Sequence, residues 1–568
     1  MKKTYILLWV IFLVFAAMLL LESARKSAIF EENEYLTSGY YMLKTNDYRM
    51  QPAQPPFALK LGAVPLLFSN PPFPYDNEYC QKFLYYACAD KFLYNSGLDG
   101  GSAIFWGRVP FIILALLTGF LIFKWAKELY GDKGGLLALV MYAFNATVLG
   151  WSALINPDFS AAAFGFISVY FLWKLFSKPS AANAILIGIF FGLAQASKFT
   201  AIMLIPAYAA IGILYALRHK TKPDAKKVAK YSGIILSIGF IAMWAVYGFS
   251  FGTFASGAPQ RFMDIIHQNL PSNEQVSNAA LFAIENVPVP FPSYFVGVSA
   301  QMFISATSLK SSYINGVVYQ GSVWYFHLES FLLKESIAFI ILVGISIASL
   351  FMSRKKNDDE IIFLLVPILA FAAAFIFIIN INSGIQHLLS LFPFMFVLTG
   401  RLAKLRRLKI LVIILTAAYV IGAIIAFPNY ISYFNEFVND DNGHQYFLTA
   451  NLDQGQNLKE LSEYAKANSL EPLKLSYFGT TNPKAYLEYE YLPTPYFLPW
   501  VPEYAPQKKD LPPGYYENCS RQEGIVAVSA PNLKGMFLIN TSCYSWLHGY
   551  KPIKIIGHTI FVYNVTAG

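Results

Sequence analysis

Apolar stretches of roughly membrane-spanning length recur along this chain as far as residue 427, and no other feature restricts its folding as strongly. They occupy residues 4–21, 109–123, 135–155, 159–173, 184–197, 200–217, 231–251, 336–352, 361–379, 388–399 and 410–427, about eleven in all. In lipid each must satisfy its own backbone, so each is expected to be helical. With 56% hydrophobic and only 14% charged residues over 568, the chain is too apolar for a soluble protein. The fold class is therefore a polytopic α-helical membrane protein.

Met1-Lys2-Lys3 ahead of an apolar run has the outline of a signal peptide. Leu19-Leu20-Leu21-Glu22-Ser23-Ala24 is a poor cleavage site, however, and many spans follow, so the first helix is expected to be retained. Orientation comes from Lys and Arg in short loops. Lys124/Lys127/Lys133, Arg218/Lys220/Lys222/Lys226/Lys227/Lys230, Arg354/Lys355/Lys356 and Arg401/Lys404/Arg406/Arg407/Lys409 alternate with basic-poor loops. All fall on one side if the N-terminus is cytosolic. About half of the 43 Lys and Arg lie there, so the net charge of +9 reports topology and gives no reason to invoke nucleic acid.

Three substantial segments then lie outside: a first loop 22–107, a second loop 252–335, and everything after the last span. The expected division is a transmembrane domain, 1–427, and an extracytoplasmic domain, 428–568. Within the latter, 458–467 has helical periodicity, whereas 473–478, 525–528 and 559–563 read as strands, giving a small α/β domain. Beyond Asn145, the N-x-S/T sequons at Asn518, Asn540 and Asn564 are all in this tail. So are Cys519 and Cys543, a possible disulfide; Cys80 and Cys88 are the second candidate pair. On an unbroken helix that second pair would sit roughly 12 Å apart, so it requires an intervening turn. In the first outer loop, residues around Tyr35–Leu43 and 57–61 suggest short amphipathic helices suited to the membrane interface.

Function is sought on the outer side, where the first span is followed by a carboxylate cluster, Phe30-Glu31-Glu32-Asn33-Glu34-Tyr35, and then by Gln54-Pro55-Pro56. The order of these pieces with Gly107-Arg108-Val109-Pro110, Asn156-Pro157-Asp158, Ser197-Lys198-Phe199-Thr200, Gln386-His387-Leu388-Leu389 and Tyr433-Phe434-Asn435-Glu436 resembles the protein O-mannosyltransferases and their prokaryotic relatives. That is glycosyltransferase family 39, of the C-type superfamily, with the lipid A aminoarabinose transferases as cousins. Two tail motifs, Asn451-Leu452-Asp453-Gln454-Gly455 and Ala527-Val528-Ser529-Ala530-Pro531-Asn532-Leu533-Lys534-Gly535, resemble prokaryotic members.

The resemblance implies the C-type glycosyltransferase fold and transfer of a mannose-like sugar, with inversion, from a polyprenyl- or dolichyl-phosphate carrier. The acceptor would be a hydroxyl on an exported protein, a lipid or a glycan. It implies no required cofactor beyond the lipid-linked donor, and no paired acidic motif demands a metal. The family's catalytic Asp aligns with Glu31 and its following Glu with Glu32, as a base for the acceptor hydroxyl. Arg108 aligns with an Arg suited to the leaving phosphate, an interfacial snorkelling role being the alternative. Glu34, Gln54, Asp158, Lys198 and His387 complete the expected substrate-binding set, with helix capping as the alternative for Asp158. The sequence departs from the family where Glu31 replaces Asp and where Gln54 stands for a basic residue. Rival readings are a transporter, disfavoured because the spans carry few ionisable residues, an oligosaccharyltransferase, disfavoured by the lack of a Trp-Trp pair, and a diverged glycan- or lipid-binding membrane protein.

Overall fold

A computed structural model describes residues 2–220, 224–270, 272–306, 311–352, 359–379, 381–502, 504–505 and 519–566. Lys222, Arg354, Lys355, Lys356 and Asn518 lie outside the described residues. Each expected apolar stretch is helical. Seven form helices long and apolar enough to cross a membrane: Thr4–Arg25, Gly100–Tyr130, Pro157–Ser177, Phe199–His219, Ala225–Val246, Glu360–Ile378 and Arg406–Ile425. Two belong to bent pairs, Asp132–Ala143 with Ala146–Ser152 at 63° and Phe326–Lys334 with Ile337–Phe351 at 111°. A polar residue restarts the helix at each bend. The Asn145 side chain accepts from the Val148 N–H at 2.9 Å, and the Ser336 hydroxyl from the Phe339 N–H at 3.2 Å.

The last two stretches give shorter helices, Ala181–Gln195 and Phe392–Thr399. Every residue of Phe392–Thr399 is buried, so this helix is surrounded by protein and needs no membrane-crossing length. By contrast, Arg406–Ile425 presents Ile410, Ile413, Ile414, Ile421, Ile424 and Ile425 outward, as a lipid-facing helix does.

The basic turns gather at one end of the bundle. Lys404 donates to the Leu129 carbonyl at 2.8 Å, Arg218 and His219 meet Asp359, and Arg401 meets Glu360. The N-terminal helix reaches the same end, where Thr4 bonds to Asp132 at 3.4 Å. At the opposite end lie the strands. β1 (Phe251–Thr253) pairs with β2 (Pro288–Pro290), and β3 (Ser311–Ile314) with β4 (Val317–Gln320), both antiparallel. A five-stranded sheet is built from β5 (Leu473–Ser476), β6 (Tyr489–Tyr491), β7 (Gly524–Ser529), β8 (Lys554–Ile556) and β9 (Ile560–Val565). Its order is β6-β5-β7-β9-β8, with β5 parallel to β6 and β7 and the remaining pairs antiparallel. Helix Leu458–Ala467 lays Leu458, Leu461 and Ala465 against Leu473, Leu475 and Val562. Helix and strands thus fall where the sequence pattern puts them.

One feature differs from expectation. Helix Glu32–Thr45 does not lie on a surface: ten of its fourteen residues are buried. It packs on helix Pro56–Ala63 so closely that a Cβ at Gly39 would stand 2.0 Å from the Leu59 carbonyl oxygen. Its apolar positions are thus spent on protein contacts, and the interfacial reading is corrected. Both candidate cysteine pairs are joined as expected, Cys80 to Cys88 with Cα atoms 4.8 Å apart and Cys519 to Cys543 with 4.7 Å. The turn that the first pair requires is present: helix Glu78–Gln81 ends, Phe83 adopts φ 54°, and a new helix starts at Tyr85.

Candidate active site

Three consecutive residues after Glu31 are each tied to a different part of the chain. The Glu32 carboxylate meets Arg108 in a fork, Nε to Oε1 at 2.8 Å and Nη2 to Oε2 at 2.5 Å. Its oxygens also accept from the Ile29 and Ile155 backbone N–H groups at 2.9 and 3.0 Å. Asn33 donates to Thr480 and Thr481, at 3.1 and 3.3 Å, and accepts from the Tyr94 hydroxyl at 2.9 Å. Glu34 accepts from the Gln51 amide at 3.1 Å, and the Gln51 oxygen accepts in turn from the Ala53 N–H at 3.2 Å. Glu31 precedes the helix, makes no cap bond with its side chain and is half-buried.

The Arg108 contacts decide its availability. A guanidinium has five N–H donors. Here two go to Glu32 and three to backbone carbonyls, those of Ser23 at 2.9 Å, Lys26 at 3.1 Å and Ser27 at 2.9 Å. Both side chains are wholly buried. Arg108 therefore has no donor left for a phosphate and Glu32 no lone pair left for an acceptor proton. The pair fixes the 23–32 loop to the head of helix Gly100–Tyr130, and with the Arg108 head group inside the protein the snorkelling alternative does not hold. A second clasp lies beside it. Lys26 donates to Asn429 at 2.5 Å, Asn457 at 2.6 Å and Glu460 at 3.1 Å, joining the first span to the tail.

Around Glu31 and Glu34 the walls are aromatic. Tyr35, Tyr85 and Tyr86 all lie within electrostatic reach of Glu34, and Tyr35 and Tyr86 also of Glu31. Phe30 stacks on Phe478 of the tail at 5.2 Å and meets Tyr86 edge-on at 5.5 Å. Arg261, on helix Gln260–Gln268 of the second strand-end loop, is exposed and holds its guanidinium 5.3 Å from the Tyr85 ring centre. Burial, with the charge of Glu31 second, pushes the Glu34 carboxyl well above the usual carboxylate range. Burial next to Glu34 likewise pushes the Tyr85 hydroxyl up to about 12.

The remaining expected residues are distributed. Asp158 is ion-paired with Lys198, and both are largely buried. Its helix is capped by Asn156, whose side chain accepts from the Asp158 N–H at 2.7 Å, so the capping alternative belongs to Asn156. Asp158 also lies within electrostatic reach of Tyr35. Gln54 is half-buried two residues after Pro52, on the segment that Gln51 anchors. The His387 ring lies 5.7 Å from that of His327 and 5.9 Å from that of Phe375. Among the described residues no group of three or more His, Cys, Asp or Glu is placed to hold a metal ion.

Residues 100–247, which carry Arg108, Asp158 and Lys198, match the model of one known family. It is the dolichyl-phosphate-mannose-protein mannosyltransferase family. The resemblance read from the motifs is thereby borne out over this segment, and the family is one of membrane glycosyltransferases with a lipid-linked donor. No curated protein matches the chain. Among solved structures, ArnT from Cupriavidus metallidurans in the apo state aligns with 99% of this chain and 98% of its own, at 10% identity and a TM-score of 0.46. The same protein bound to undecaprenyl phosphate aligns over 98% of each chain, at 11% identity and a TM-score of 0.43. Residue roles are not transferable at such similarity, and the site here rests on this chain's own contacts.

Sequence reasoning missed Gln51, Lys26 and Arg261. Gln51 and Lys26 flank motifs that were singled out, but their partners are distant in sequence. Arg261 stands in a segment read only as outer loop; a helical projection of 260–268 was the available signal, since Phe262, Met263 and Ile266 fall on one face.

Proposed function

We propose that this chain is an inverting membrane glycosyltransferase that takes a mannose-like sugar from a polyprenyl- or dolichyl-phosphate carrier and passes it to an acceptor hydroxyl. The observation that supports this reading is the acidic turn after the first span, where half-buried Glu31 and buried Glu34 lie within electrostatic reach of Tyr35 and Tyr86, and exposed Arg261 stands over the Tyr85 ring. Glu31 is the base. It takes the proton of the acceptor hydroxyl as the new bond forms to the anomeric carbon and the bond from that carbon to the phosphate oxygen breaks. The phosphate leaves with increased negative charge, which Arg261 meets, with Lys198 adding charge from behind its pair with Asp158. No metal is called upon in this scheme.

The carrier's long tail stays in lipid while its head group reaches these residues, which suits a site at the bundle end. The gathering of basic turns at one end supports an orientation in which the strand-bearing end faces away from the cytosol, the N-terminus is cytosolic and segment 428–568 is the outer domain. The test is transfer of radiolabelled mannose from polyprenyl- and dolichyl-phosphate donors in membranes holding the wild type or Glu31→Gln. Transfer by the wild type, lowered about 10²–10⁴-fold in Glu31→Gln at equal expression, is the expected result. Transfer that survives Glu31→Gln would overturn the assignment of the base.

A further inference from the structure

The tail motif ending in Lys534-Gly535 takes no part in the proposed transfer, yet it forms one wall of a cavity of about 610 Å³. That volume falls within the roughly 300–1,000 Å³ typical of small-ligand sites. Three distant segments build it. The β3–β4 hairpin turns through Asn315 and Gly316, with φ of 52° and 82°, the Asn-Gly pairing that a tight hairpin requires. The hairpin is pinned to the stretch after the last span by the Asn315 N–H to the Tyr446 carbonyl at 2.9 Å and by the Tyr313 hydroxyl to the His444 carbonyl at 3.0 Å. On the third side Gly535, at φ 69° with the Thr541 carbonyl oxygen 1.9 Å from where a Cβ would stand, admits no other residue and so fixes the turn that presents Lys534.

The lining combines Tyr313, Asn315, Gln445, Tyr446 and Lys534, with one cation and no carboxylate among the described residues. Lys534 is half-buried, and among the described residues it is in no ion pair. The nearby carboxylate of Asp441 is turned to His558, at 2.7 Å. A simple anion calls only for donors. Here two amide side chains add acceptors as well as donors, and the tyrosines add aromatic surface, the combination that a hydroxyl-rich ring with apolar C–H faces uses.

We infer that this cavity is a binding site for an anionic saccharide, whose carboxylate or phosphate substituent is held by Lys534 and whose hydroxyls are held by Asn315 and Gln445. Naming that saccharide as part of the acceptor rests on the glycosyltransferase reading; the binding itself does not.

The experiment is calorimetric titration of the full-length protein in lipid nanodiscs with trigalacturonate, maltotriose and inorganic phosphate as probes. The wild type is expected to bind trigalacturonate at least tenfold more tightly than either of the others. Lys534→Met is expected to weaken that binding about tenfold, since a hydrogen bond to a charged group is removed, and exposed Gln445→Ala to weaken it less, both with unchanged melting curves. Glu31→Gln is expected to bind as the wild type does, so loss of transfer and loss of binding are read separately. Equal affinity in wild type and Lys534→Met, or phosphate bound as tightly as trigalacturonate, would overturn the proposal. Should a generic saccharide site be present instead, maltotriose would match trigalacturonate, which overturns it equally.

Discussion

At the head of one helix, Glu32 has both oxygens fully engaged by Arg108 and two backbone N–H groups, whereas Glu31, one residue earlier, is half-buried beside Tyr35 and Tyr86. The two side chains are chemically identical, so the difference lies wholly in what surrounds them. Glu32 gives up its reactivity to hold a loop in place; the loop so held is what aims Glu31. A site built this way separates rigidity from chemistry by a single peptide unit, and it follows that the two carboxylates will fail differently when altered.

The sharpest way to break the comparison is to remove each carboxylate in turn. Glu32→Gln leaves a buried guanidinium short of its counter-charge, a change that costs about 3–5 kcal/mol for buried pairs. It should appear as a lower melting temperature and less folded protein in detergent, while Glu31→Gln melts as the wild type does and loses transfer. If the Glu32 variant melts normally, the pair is not the clasp described. Because an apolar replacement of both partners avoids stranding a charge, Glu32→Leu with Arg108→Met is expected to recover part of the lost stability relative to Arg108→Met alone.

A smaller effect distinguishes the two arginines. Arg261→Ala should leave the unfolding free energy within about 0.5 kcal/mol of wild type, as for other exposed positions, and raise the KM for the lipid-phosphate donor roughly tenfold through loss of one charge-assisted contact. An unchanged KM would remove Arg261 from the phosphate site.

The smallest effect concerns Glu34, whose carboxyl burial holds well above its ordinary value. A carboxyl of raised pKa binds a proton more tightly folded than unfolded. Its contribution to stability is complete below the ordinary glutamate range and is lost as pH rises from there through the raised value. Melting temperatures of the wild type should therefore fall more steeply between pH 5 and pH 8 than those of Glu34→Gln, which carries a neutral group throughout. Parallel curves would mean that Glu34 is ionised in the folded protein.

Much of this arrangement was legible in the sequence. The apolar stretches locate every span because lipid leaves the backbone no alternative to helix, and the strand pattern of β5, β7 and β9 shows through because each has a buried face. The acidic cluster was also visible. Which of its members remains reactive was not, since that depends on Arg108 arriving from 76 residues away and on the Ile155 N–H arriving from 123. Helix Glu32–Thr45 was misplaced for a related reason: its polar residues, including Asn33 and Glu34, are satisfied by partners that no local pattern reveals. Arg261 escaped notice because its partner is an aromatic ring 176 positions earlier in numbering, on Tyr85.

The Lys26 clasp has a consequence for how the protein comes into being. Its partners Asn429, Asn457 and Glu460 lie 403, 431 and 434 residues further on. At synthesis rates of roughly 5–20 residues per second, the first span waits on the order of 20–90 s for them. During that interval the ammonium group at its end has none of its final acceptors, and the segment bearing Glu31 is fastened on only one side. Completion of the loop that carries Glu31 is thus an event of the last stage of translation, and a ribosome that stops between Phe427 and Asn457 yields a chain with these apolar stretches in place and that loop unfastened on the Lys26 side.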